Sequence, residues 1–246
     1  MNPLHLAPID NHPHKIVDIG TSTGLWANDV ADVYGSAEVE GTNVNAIVLN
    51  EDTAPNVKFI QDDAEENWLY KRNSLDFVRA SLLLNSIKDR PRLFGQTWRC
   101  LKPGAWGEWV DFHHFPHNED GSIVNNSNFE FHQTLATAMA KHNFDLQAIT
   151  AATSELKSAG FINVRERVPK MPIGGWHDDP ELKEIGEIFG LVMKEAIPEI
   201  GMRVIQENLG WSWEQMMVLG GKAKGSLDFS FRTYFPLHIV IGQKPA

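Results

Sequence analysis

Lys15-Ile16-Val17-Asp18-Ile19 is a short apolar run that ends at Gly20 and passes through Thr21-Ser22-Thr23-Gly24 into Leu25-Trp26. An unbroken apolar run suits a strand buried on both faces better than a half-exposed one. From Gly24 the apolar positions Trp26, Val30, Val33 and Tyr34 recur at helical spacing, and residues 37–42 return to strand character. The segment therefore reads as strand, glycine-rich turn, helix and second strand. Glycines in such a turn let backbone approach a ligand at the carboxyl edge of a sheet, beside the N-terminus of the next helix. A tight turn with no ligand uses glycine in the same way, so the pair alone does not decide function.

Outward from this unit, residues 57–60, 75–78 and 106–112 read as further strands. Asp89 and Pro91 start a helix before the last of these, and Lys102-Pro103-Gly104 stops it. Residues 127–142 and 147–159 read as helices, 161–168 as a strand and 234–241 as the last strand. Between them residues 179–224 read as helical, broken by Pro198 and by Gly210-Trp211-Ser212-Trp213. Strands alternating with helices imply right-handed crossovers and a sheet covered on both faces. The expected fold is α/β, a doubly wound, mostly parallel seven-stranded sheet. Residues 1–246 are expected to form a single domain, with a helical substrate cap inserted at 171–226.

The 246 residues are 42% hydrophobic and 10% aromatic, enough for one sizeable core. A formal net charge of -10 and a pI near 5.4 argue against nucleic acid as the partner, because phosphate binders rely on basic surfaces. A small, neutral or weakly ionised substrate fits better. Cys100 stands alone, excluding an intrachain disulfide and suiting a reducing, cytoplasmic setting, where it reads as a small core residue. No run approaches the roughly 18 apolar residues of a membrane span, so no membrane partner is expected.

Several blocks occur together in this order: Leu6-Ala7-Pro8-Ile9, Asp18-Ile19-Gly20 through Trp26-Ala27, Gly41-Thr42, Pro55-Asn56-Val57-Lys58-Phe59, Asp62-Asp63-Ala64-Glu65-Glu66-Asn67-Trp68, Ser86-Ile87-Lys88-Asp89, Arg99-Cys100-Leu101-Lys102-Pro103-Gly104 and Tyr234-Phe235-Pro236. In them the chain resembles the fungal LaeA/UMTA-type family of class I S-adenosylmethionine-dependent methyltransferases, from about residue 4 to the end. The resemblance implies a Rossmann-like fold and S-adenosylmethionine as cofactor. It implies that Asp18, Gly20, Thr21, Ser22 and Gly24 hold the methionyl part, that the end of the second strand at Asn43 meets the ribose, and that Asp62, Asp63 and Ala64 approach the adenine. Aspartates after a strand also serve as simple helix caps. The chain departs from the family pattern at three places. Ser22 stands where the middle glycine is usual, Asn43 replaces the ribose-binding acid, and few residues precede the first strand where the family has helices. A second copy of the chain or a partner protein covering that region is an expectation that follows.

Methyl transfer from a sulfonium needs positioning and desolvation, and a base only where the acceptor must lose a proton. His113 and His114 follow the fifth strand, near the carboxyl edge, and His132 lies on the next helix. Successive extended residues point oppositely, so one of the first two is expected to face the acceptor, with His113 favoured. All three could equally be structural histidines. His113, His114, His117 and Asp111 do not form a metal site by spacing, since Pro116 interrupts any helix aligning them. Met171 to Trp213 carries Trp176, Phe189, Met193, Met202 and Trp211, either a substrate lid or the core of an added layer.

The expected function is O- or N-methylation of a small-molecule secondary metabolite, and the large apolar groups between Met171 and Trp213 suggest an apolar acceptor, such as a polyketide or a peptide-derived metabolite. Two alternatives stand beside it. One is a cyclase or pericyclase that keeps the fold and no longer transfers methyl, motivated by Ser22 and Asn43; the other is a non-catalytic regulatory partner.

Overall fold

The computed structural model describes residues 4–47, 53–122, 126–226 and 232–246. They fall into two compact units. The first comprises 1–111, 148–167 and 238–246, and the second 112–147 and 168–237, so the second takes in more than the 171–226 segment.

In the first unit β1 (Lys15–Ile19) pairs in parallel with β2 (Glu38–Asn43) and β4 (Leu75–Ser81), β2 pairs with β3 (Val57–Gln61), and β4 with β5 (Leu101–Phe112). The carboxyl-terminal part of β9 (Thr233–Gln243) lies next to β5, with Gly104 N–H donating to Lys244 O and Lys244 N–H to Ala105 O. Because the start of β5 meets the end of β9, those strands are antiparallel. β7 (Ile162–Arg167) completes the sheet against β9. The order β3-β2-β1-β4-β5-β9-β7 holds the seven strands expected from the sequence, mostly parallel, within a sheet of nine.

Its two faces are covered separately. α1 (Leu25–Val33) places Ala27, Val30 and Ala31 on Ile16, Val39 and Phe77, with Ala7 from the leading segment. α2 (Arg90–Cys100) and α4 (Ile149–Ser158) bury Leu93, Phe94, Cys100, Ile149, Ala152 and Leu156 against Val17, Val78 and Trp109. Asp89 caps α2 by accepting from Arg92 N–H, as expected. Lys102-Pro103-Gly104 does not lie in a turn: β5 begins at Leu101, directly after α2, because Leu101 itself leaves the helix in an extended conformation.

In the second unit the amino-terminal part of β9 pairs antiparallel with β6 (His117–Asn118) and β8 (Lys170–Ile173), two short strands that sequence periodicity misses. α3 (Ser127–Ala140), α5 (Pro180–Leu209) and α6 (Trp213–Ser226) bring Phe131, Ala138, Met202, Ile205, Met216 and Leu219 into a core that Phe235 of β9 joins. The expected break at Pro198 is corrected: α5 is continuous through it. Gly210, at φ 70°, does end the helix, since a left-handed C-cap suits glycine.

Candidate functional site

Strand register in the first unit sets Phe59, Gly41, Asp18, Arg79 and Glu108 side by side across five strands. Paired positions share a face, so one row of a buried surface carries two acids and a guanidinium. Asp18 is 2% exposed and accepts from Arg79 Nη1 at 3.3 Å. Burial pushes the Asp18 carboxyl above its usual range, and the Arg79 charge partly offsets that. Arg79 also lies over the Trp26 ring at 4.4 Å. Glu108 accepts from Leu6 N–H at 2.6 Å and Ala7 N–H at 2.9 Å, while Trp26 Nε1 donates to Leu4 O at 2.8 Å. The leading segment is thus fastened over the charge row, which explains why Leu6-Ala7 and the Asp18 turn occur together.

Removing Arg79 would leave Asp18 buried without this counter-ion. Arg79→Met is expected to cost about 2 kcal/mol at neutral pH, discounted because Asp18 can take up a proton. The raised folded pKa means that the folded state binds more protons than the unfolded one above 3.8, so stability falls as pH rises. The loss in Arg79→Met should therefore shrink on acidification, measured by urea denaturation at about pH 7 and about pH 5. A loss that is the same at both values would contradict this coupling.

Above this row the Gly20–Gly24 turn alternates left-handed residues, Gly20 at φ 71°, Ser22 at φ 54° and Gly24 at φ 77°. Thr21 N–H donates to Thr42 O, and Gly24 N–H to Thr21 O, both at 2.9 Å, which folds the turn onto the end of β2. A Cβ on Gly24 would lie 2.2 Å from the Phe59 ring, and one on Gly20 3.0 Å from Leu83. Packing against Phe59 calls for a glycine at 24, and the left-handed backbone favours one at both positions. Ser22 bears a Cβ at a backbone conformation that favours glycine, and its side chain is exposed. Gly24 is the N-cap of α1 and leaves that helix without a side-chain cap. An uncapped helix N-terminus beside a turn at the carboxyl edge of a parallel sheet can receive an anionic group.

At the end of β2, Asn43 Nδ2 donates to Asn45 O at 3.0 Å and Asn43 O accepts from Asp62 N–H at 2.9 Å. The side chain offers a neutral acceptor where an acid would offer a charged one. Asp62 Oδ1 accepts from Asp63 N–H and Asp63 Oδ1 from Glu65 N–H, each at 2.9 Å, so both aspartates cap this turn. Ala64 O accepts from Trp68 Nε1 at 3.0 Å. Behind the turn, Glu40 is buried against Tyr70 Oη and lies 3.0 Å from Lys15 Nζ, and burial raises the Tyr70 pKa.

Two residues of this edge escape sequence reasoning. Leu82 follows β4 at φ 53° and is 58% exposed, and Leu83 packs on Gly20. Leu82 N–H donates to Val110 O, while Asp111, 1% exposed, accepts from Leu84 N–H at 2.9 Å and Asn85 Nδ2 at 2.8 Å. A strained backbone persists where neighbours hold it this firmly. The run Leu82-Leu83-Leu84 was the available signal, but a positive φ leaves none.

In the second unit His113 and His114 part company. His113 Nε2 lies 3.2 Å from Gln147 Oε1, with its ring 5.2 Å from His117. His114 instead faces Phe112 at 6.0 Å and Phe235 at 6.5 Å, and Phe235 stands edge-on to His132 at 5.2 Å. It is His114, rather than the favoured His113, that joins His132. His132 is 3% exposed, and neither ring nitrogen has a hydrogen-bond partner. Burial, with a smaller contribution from His114, pushes its pKa down to about 3. No three potential metal ligands gather among the described residues.

The sheet order and the glycine turn define a class I, Rossmann-like methyltransferase fold. The methyltransferase domain family matches residues 2–149, and the chain belongs to that family. Methyltransferase pytC of Aspergillus terreus is 31% identical over 244 residues, covering 98% of this chain and 75% of that one. Secondary metabolism regulator LAE1 of Cochliobolus heterostrophus is 27% identical, covering 98% of this chain and 81% of that one. Among solved structures, a Haemonchus contortus phosphoethanolamine N-methyltransferase 2, bound to phosphomonomethylethanolamine and S-adenosylhomocysteine, aligns with a TM-score of 0.57 at 19% identity, covering 97% of this chain and 50% of that chain. The [4+2]-cyclase SpnF aligns at 0.54 with 14% identity, covering 96% and 77%. The latter two share the fold. S-adenosylmethionine is the cofactor that family and fold define. The glycine turn and the uncapped N-terminus of α1 are of a chemistry that fits its methionyl end, and the end of β2 offers the neutral amide of Asn43 as an acceptor.

Proposed function

We propose that this chain is an S-adenosylmethionine-dependent O- or N-methyltransferase that acts on a small-molecule secondary metabolite. The observation that carries the reading is the Gly20–Gly24 turn opening onto the uncapped N-terminus of α1. Asp18, Gly20, Thr21, Ser22 and Gly24 would hold the methionyl part, Asn43 the ribose, and Asp62, Asp63 and Ala64 the adenine. When bound, the cofactor supplies an activated methyl group, so the protein's part is to position the acceptor, exclude water and accept a proton where one is released. His114 is the group we assign to the proton, with His113 the alternative. His132, held neutral at physiological pH, acts by hydrogen bonding. The secondary-metabolism setting is carried over from the named relatives, and the helical segment 171–226 is assigned to acceptor recognition. Incubation with methyl-labelled cofactor and an extract of fungal metabolites should label small molecules; label confined to protein would overturn the acceptor class.

A second reading is a cyclase or pericyclase that no longer transfers methyl, favoured by the Asn43 side chain turned to Asn45 O and by strained Ser22. The double substitution Asn43→Asp and Ser22→Gly separates the two. It restores a charged ribose acceptor and relieves the backbone, so cofactor affinity should rise about tenfold, seen by calorimetry. A methyltransferase would gain methyl-transfer kcat/KM with it; cofactor-independent turnover unchanged by the pair would favour the cyclase.

A further inference from the structure

The aromatic cluster of the second unit has an unmet hydrogen-bonding demand at its centre. Phe112 and Phe189 stack at 5.4 Å with 19° between planes, and Phe235 stands edge-on to Phe189 at 6.0 Å. Phe112, His114 and Phe189 are half-buried, while Phe235 and His132 are buried behind them. The cluster thus combines half-exposed aromatic rings with a buried imidazole.

A neutral imidazole carries one N–H donor and one acceptor nitrogen. Leaving such groups dry and unpaired costs about 1–3 kcal/mol, and buried polar groups are nearly always satisfied. An apolar residue would fill the same volume without that cost, so His132 calls for a partner that the chain itself does not provide. The partner's chemistry follows by elimination. A purely apolar ligand would leave the demand unmet. An anion or cation would lose its hydration among phenylalanines and gain little from a ring held neutral. A neutral hydroxyl on a flat ring meets both conditions: the ring packs on Phe112 and Phe189, and the O–H donates to the free nitrogen.

We propose that Phe112, Phe189, Phe235, His114 and His132 form a recognition site for a phenolic or enolic hydroxyl on a flat, conjugated molecule. It deepens the methyltransferase reading, on which it rests for its biological sense, by naming the acceptor class and favouring oxygen over nitrogen. No covalent step is assigned to His132; it is a binding group that orients the hydroxyl.

The test uses the full chain with p-cresol, toluene and benzoate as probes, and follows the ring nitrogens of His132 by nuclear magnetic resonance. We expect p-cresol to bind at least about tenfold more tightly than toluene, since one hydrogen bond to an otherwise unpaired buried group is worth about that factor. Benzoate should be weaker than p-cresol, and p-cresol should shift the acceptor nitrogen of His132. In His132→Leu the preference of p-cresol over toluene should fall to about one. His132→Gln, which restores an acceptor, should regain part of it. The proposal is overturned if p-cresol fails to bind at saturating concentration, if it binds without moving the His132 signal, or if His132→Leu keeps the preference. S-adenosylhomocysteine titrated into the same samples reports on the methyltransferase reading separately, because neither the p-cresol preference nor the His132 signal depends on it.

Discussion

His132→Leu is expected to stabilise the protein, by about 2 kcal/mol at neutral pH and by about 3 kcal/mol more near pH 4.5. The first part comes from removing two buried ring nitrogens that have no partner. The second follows from linkage. An unfolded histidine takes up a proton near 6.5, whereas His132 in the fold resists until about 3. Between those values the unfolded state binds more protons, so wild-type stability is lost as pH falls. Leucine has no such window. The electrostatic neighbour that adds to the shift is His114, after the larger effect of burial. Lost edge-to-face contact with Phe235 offsets the gain by less than about 1 kcal/mol. Urea denaturation of both proteins at the two pH values measures the difference, and a variant less stable than wild type at both would refute an unpaired His132. A gain in stability accompanied by loss of the p-cresol preference is the trade expected of a binding residue.

Gly24→Ala acts in the opposite direction and on the other unit. Its Cβ would lie 2.2 Å from the Phe59 ring, at a residue whose φ of 77° disfavours any side chain. The steric term is about 2–3 kcal/mol and the backbone term about 1–2 kcal/mol, together about 4 kcal/mol. Phe59→Leu makes room, so the double variant Gly24→Ala with Phe59→Leu should recover the steric part relative to the additive sum of the two single changes. A double-mutant cycle in urea reads that coupling. Additivity within error would mean that Phe59 is not what demands a glycine at this position.

The fold was legible because its local signals agree. Strand one, the glycine turn, α1 and the Asp89 cap each point to the same α/β sheet, and the seven strands legible in the sequence are all among the nine of the structure. Pro198 misled, because proline in sequence signals a break, yet α5 runs through it. The short strands β6 and β8 escaped because each has too few residues for a period to show. In the site, the sequence of Gly20 to Gly24 speaks for a ligand turn but not for the packing of Leu83 and Phe59 on those glycines, which only the folded chain brings about. Arg79 and Glu108 are each a charge within an apolar strand, but only strand register reveals that they align with Asp18. Alternation along an extended segment gives His113 and His114 different neighbours, but which of them meets His132 depends on packing among Phe112, Phe235 and α3, which the sequence does not show.

If the first unit binds S-adenosylmethionine through the Gly20–Gly24 turn, calorimetric titration of the purified chain should show it. S-adenosylmethionine and S-adenosylhomocysteine are both expected to bind in the micromolar range, with the product at least as tight. Protein that is folded by circular dichroism and binds neither would rule out that role for the turn.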